Sequence, residues 1–155
     1  MNITAFQNKN LLILAISLGL LFFGWNAAEQ HFTSFYKTQN IAHIAFRSLA
    51  LIYTTIIIGN TLGPGIVSLL GLKNSIFFGF LTYILLVFRI MTKIPRLVFL
   101  LSANLGIGAG ILGIAQIDFL RQIAPLKKRG EYIGTVASIR TLGGFLGVFF
   151  RQPSS

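Results

Sequence analysis

Apolar residues run along this chain in five long blocks separated by brief polar breaks. The pattern is plainest from Leu97 to Gly134, where an uncharged run from Leu97 to Ile117 gives way to Arg121, Lys127, Lys128 and Arg129. A helix of about 20 apolar residues spans the roughly 30 Å hydrocarbon core of a bilayer. The first block, Leu11 to Ala28, is closed by Glu29, and Gln30 to Ala42 reads as a polar loop. The second extends from Ser48 to Leu72, with Gly63-Pro64-Gly65 expected to break or kink it. Gly71-Leu72-Lys73-Asn74 then reads as a tight turn. Asn74 to Phe88 is the shortest block and spans only if Arg89 snorkels its stem toward the headgroups. The last, Tyr132 to Phe150, is interrupted once, by Arg140. The pattern predicts an all-α fold, a polytopic membrane helix bundle of about five transmembrane helices. They form a single transmembrane domain over residues 1–155, with spans near 11–29, 46–70, 74–91, 97–118 and 131–150.

Composition supports lipid as the solvent. Hydrophobic residues make up 54% of the chain, charged residues 10%, and mean hydropathy is +0.78. A water-soluble domain usually carries about a quarter charged residues. The net charge of +10 raises nucleic acid as a partner. The basic residues nevertheless sit scattered at the ends of apolar runs, where Lys and Arg meet anionic lipid, so the expected partner is the bilayer and not nucleic acid. Trp25-Asn26-Ala27-Ala28 is a poor match to a signal-peptidase site, which makes the first block an uncleaved span. Phe22, Phe23 and Trp25 near its end suit an interfacial aromatic belt. With the amino terminus inside, Lys9, Lys73, Arg121 and Lys127 to Arg129 lie on the inner side. Lys37, Arg47, Arg89, Lys93, Arg96 and Arg151 then lie on the outer side, and these counts balance. Only the tight cluster Lys127-Lys128-Arg129 favours a cytoplasmic position for its loop.

Candidate chemistry is sparse. The chain has no cysteine, no metal-ligand spacing and no set of nucleophile, base and orienting group, so no catalytic residue, metal, cofactor or enzymatic activity is expected. Gly108 to Gly113 forms a GxGxxG string, but a dinucleotide site needs a preceding strand and this one lies inside an apolar run. Gly106, Gly110 and Gly113 instead share a helix face on which another backbone can approach closely. The other face carries Asn104, Gly108, Ile111, Ala115, Asp118 and Gln122, and reads as the wall of a water-filled cavity. The plainer alternative is that Asp118 simply meets water at the membrane edge. Arg140 is the sharper signal. A charge near mid-span costs roughly 2.5 kcal/mol or more, and Ala137, Gly144 and Gly147 share its face. Arg140 is therefore expected to point into protein, with Asn26, Gln30 or a group outside the chain as its partner, in a substrate or gating contact or in a buried structural pair. Glu29, Gln30 and His31 form either a proton-sensitive cluster or a solvated helix end.

The order of these segments resembles the amino-terminal part of a major facilitator superfamily transporter, and within it the Unc ninety-three-like branch. The resemblance rests on Phe22-Phe23-Gly24-Trp25-Asn26-Ala27-Ala28-Glu29-Gln30. It continues through Gly63-Pro64 and Gly71-Leu72-Lys73-Asn74-Ser75 to Gly79 and Tyr83, then Gly106 to Arg121 with Gln116 and Phe119, and Gly130, Tyr132 and Gly134. It covers nearly the whole chain. Gly71 and Lys73 fit the second half of the superfamily's cytoplasmic loop motif, whereas Pro64 and Ser68 replace its first glycine and its aspartate.

The resemblance implies transport of a small solute by alternating access. Spans one and four would line the cavity, span five would contribute to gating, and Asn26, Gln30, Gln116 and Arg140 are the cavity candidates. The superfamily builds its site between two halves, so five spans would need a second half-transporter. The alternatives are a non-transporting membrane protein that regulates a channel or receptor through a membrane partner, and an inactive truncated fragment.

Overall fold

A computed structural model describes residues 3–38, 42–92 and 94–149. Lys93 and Arg151, assigned above to the outer side, lie outside the described residues. The fold is all-α. Its helices are α1 (Ile3–Thr38), α2 (Ala42–Leu70), α3 (Leu72–Met91), α4 (Pro95–Ile123) and α5 (Arg129–Phe149), with a 3-10 turn at Leu126–Lys128 before the last. There is no strand among the described residues. All five helices are long and apolar enough to cross a membrane.

Three local expectations are corrected. Gln30 to Thr38 is helix, not loop. No Gly or Pro interrupts it, and Phe32 and Tyr36, one turn apart, are buried in an apolar cluster with Ile44, Ala45 and Val98. Burial of that face continues α1 well past Glu29. Second, α2 runs through Pro64 without ending, which removes the break but not the kink from the expectation for Gly63-Pro64-Gly65. The proline ring lacks an N–H, which removes only the bond to the carbonyl four residues back. Third, α3 begins at Leu72, which shrinks the expected four-residue turn to Gly71. Gly71 has φ of 79°, a left-handed value that glycine adopts without steric cost. Its N–H donates to the Val67 carbonyl at 3.0 Å and its carbonyl accepts from Ser75 N at 3.1 Å, closing α2 and opening α3.

The chain divides into two compact units, one of Met1–Gln30 with Ile117–Ser155 and the other of His31–Gln116. In the second unit α4 lies between α2 and α3. Lipid offers no hydrophobic drive for helices to associate, so close van der Waals contact must supply it. The Gly106, Gly110 and Gly113 face meets α2 as the sequence implied. A Cβ at Gly110 would lie 2.7 Å from the Ile56 carbonyl oxygen, and one at Gly106 would overlap the Thr55 hydroxyl.

The middle of the supposed cavity stripe of α4, from Gly108 to Ala115, is a packing face, while Asn104 and Gln122 at its ends are exposed. Gly108 is pressed against Thr82 of α3, and Leu112 against Gly79, where a Cβ would lie 2.6 Å from the leucine Cβ. Ile111 and Ala115 are buried in a cluster with Val67. Small residues on both sides bring the backbones together along that stretch.

Overpacking such a contact costs about 1–3 kcal/mol. Gly106→Val is therefore expected to lower unfolding stability in micelles by that amount. Gly65→Ala on α2, where a Cβ would meet nothing within 4 Å, should leave stability equal or raise it slightly. Equal behaviour of the two variants in denaturant titrations would contradict this packing.

Candidate functional site

Among the described helical arginines two are at least partly buried, one in each unit. Arg89, on α3, is fully buried at 0% exposure. Its Nη2 donates to the Ser48 hydroxyl on α2 at 2.9 Å, and its guanidinium carbon lies 3.9 Å from the centre of the Phe32 ring on α1. Ser48 in turn donates to the Ala45 carbonyl at 2.8 Å, so its hydroxyl both gives and accepts. Tyr36 stacks on Phe32 with ring centres 4.5 Å apart and donates its hydroxyl to the Thr92 carbonyl at 3.1 Å. The expectation that Arg89 snorkels to the headgroups is wrong. Helical residues 31–38 of α1 bring the Phe32 ring over it, with Tyr36 packed on that ring, and a planar cation on an aromatic face with a hydroxyl at its edge is held within the protein.

This centre was missed because Gln30 to Ala42 reads as loop. The available signal was the i, i+4 pair Phe32 and Tyr36, with an arginine near the end of the third apolar run.

Arg140, on α5, is half-buried in the other unit. Its guanidinium carbon lies 4.9 Å from the centre of the Phe22 ring of α1. The glycines beyond it pack on the same helix. Gly143 meets the Gly19 backbone, and a Cβ at Gly144 would lie 3.1 Å from the Asn26 amide nitrogen. Asn26 Nδ2 donates to the Phe22 carbonyl at 2.9 Å. Asn26 and Arg140 thus both lie against Phe22, one on its carbonyl and one over its ring, where α1 meets α5.

The remaining candidates are dispersed. Gln30 is half-buried one turn past Asn26, in the same unit. Gln116 is 8% exposed on α4 and belongs to the other unit. Gly71 is the hinge between α2 and α3, and Lys73 is exposed in the first turn of α3. Asp118 pairs with Arg121 one turn on at 3.4 Å, a contact that is 35% exposed on the acid and 63% on the base. Such surface pairs contribute little, and this one fits the plainer reading of Asp118. His31 is exposed.

A family model described as ion channel regulatory protein UNC-93 matches residues 37–150. The chain belongs to the UNC-93 family. No curated protein and no solved structure gives a match. The region matched to the UNC-93 family takes in α2 to α5, and so Ser48, Arg89, Gln116 and Arg140, while Asn26 and Gln30 precede it.

A hydrogen bond to a buried charge is worth about 1.5–3 kcal/mol. Ser48→Ala should destabilise the protein by that order in thermal unfolding in detergent, and Ser48→Thr should restore most of the loss. A Ser48→Ala protein as stable as the parent would show that Arg89 gains nothing from the hydroxyl.

Proposed function

We propose that this UNC-93 chain is a non-enzymatic integral membrane protein that acts as a regulatory partner of an ion channel. The family match over residues 37–150 carries the reading, since ion channel regulation is what that family's description states. One feature of the chain supports it. The wall expected to face a cavity along α4 is occupied by Thr82, Val67 and other side chains of α2 and α3. Regulation in this form needs a surface matched to another membrane protein and no path for a solute.

A second reading is solute movement of the major facilitator type, with Asn26, Gln30, Gln116 and Arg140 in the cavity. It is supported by the shared patch of Asn26 and Arg140 on α1 and α5.

The two readings separate in reconstitution. A channel that co-purifies with the chain from native membranes is placed in planar bilayers with and without it. The expected outcome is a change of at least twofold in open probability, and no solute flux in liposomes holding the chain alone. Unchanged channel currents together with saturable solute uptake would reverse the preference. Arg140→Ala in a complete homologue should then impair that uptake.

A further inference from the structure

Arg140 lies roughly 16 Å along the helix axis from Arg129, at about 1.5 Å per residue, which places it near the middle of the hydrocarbon core. An arginine stem does not reach either interface from that depth. The chain holds three acidic side chains against thirteen basic ones. Asp118 is engaged with Arg121. Glu131 lies in the first turn of α5, about 13 Å from Arg140 along the axis. Among the described residues an ion pair joins Asp118 to Arg121, and Arg140 takes no part in it. Its neighbour is the Phe22 ring, which covers one side of the guanidinium.

We infer that Arg140 is a docking point for a transmembrane helix, other than the five described, that carries an Asp or Glu at the same depth. This inference rests on the regulatory reading above. The occupant follows from charge and depth together. A half-buried guanidinium in a low-dielectric setting calls for an anion, and a carboxylate matches its two parallel N–H donors. A lipid headgroup does not reach the mid-plane, whereas a partner helix fixes a carboxylate there. The flank of α5 beside Arg140 suits such a helix. Ile133 and Val148 are each 41% exposed, and Ala137 and Thr141 between them are exposed and small. The Thr141 hydroxyl is already satisfied by the Ala137 carbonyl at 2.8 Å, so it adds no competing polar demand. Arg89 shows the contrasting case, with a hydroxyl and an aromatic ring supplied from within its own unit.

The test uses the whole chain in nanodiscs and, as probe, a synthetic Leu/Ala-rich transmembrane helix with a single central Glu, compared with the same helix carrying Gln. Association is read by energy transfer between labels at pH 8. The Glu helix is expected to bind at least tenfold more tightly than the Gln helix. Arg140→Met should abolish that difference, and Arg140→Lys should keep part of it, with unchanged helicity and monodispersity in all three proteins. Equal binding of the two probes by the parent, or a preference that survives Arg140→Met, overturns the inference.

The cysteine-free sequence supplies a second measurement. Arg140→Cys is expected to resist an anionic water-soluble thiol reagent. Rapid modification would place position 140 in an aqueous pathway and overturn the docking assignment. In the bilayer assay, a channel still regulated by the Arg140→Met chain would leave the regulatory reading standing and remove Arg140 from its docking face. A failure of the parent chain to regulate any channel would count against the regulatory reading, while the probe helices would still decide the role of Arg140.

Discussion

Hydrocarbon accepts no hydrogen bonds, so each polar group in these helices must find its partner within the protein or in another molecule brought to it. The backbone meets the demand by remaining helical through positions that would break a helix in water, Pro64 among them. The hydroxyls meet it by bonding back to their own helix. Thr54, Thr61 and Ser68 on the outer side of α2 each donate to a carbonyl three or four residues earlier, at 2.9, 2.9 and 2.7 Å. They can therefore face lipid at small cost.

The same demand makes close packing valuable. Where Gly106 and Gly110 let α4 approach α2, Thr55 at the contact is already satisfied by the Leu51 and Ile52 carbonyls, at 2.8 and 3.0 Å. The Thr55 hydroxyl therefore needs no water at that contact. Dispersion between touching backbones then holds the helices together where the hydrophobic effect cannot. On the α3 side Thr82 plays the same part, buried against Gly108 with its hydroxyl bound to the Gly79 carbonyl at 2.7 Å.

The two arginines show what happens when a side chain is too strongly polar for a local remedy. Arg89 draws on α1 and α2, and its burial ties the ends of three helices together. Arg140 is held against a phenylalanine on α1. The first arrangement stabilises a fold. The second holds a charge against one aromatic ring, in a patch whose polar demand is met less completely than that of Arg89.

Sequence alone determined that this chain is helical, that it has five blocks long enough for a bilayer, and that α4 has a glycine face made for close contact. Each of these follows from patterns with a fixed period, and lipid imposes such patterns strongly. It also marked Arg140, because a charge deep in an apolar run stands out against its neighbours. Tertiary structure decided the rest. Gln30 to Thr38 reads as loop by its polarity and is helix because Phe32 and Tyr36 are buried by residues distant in the chain. Arg89 reads as an interfacial side chain and is buried because α1 and α2 bring an aromatic ring and a hydroxyl to it. The stripe from Gly108 to Ala115 reads as a cavity wall and is filled by α2 and α3. A helix face records that it is small or polar, but whether water, lipid or another helix lies against it depends on contacts between segments far apart in the chain.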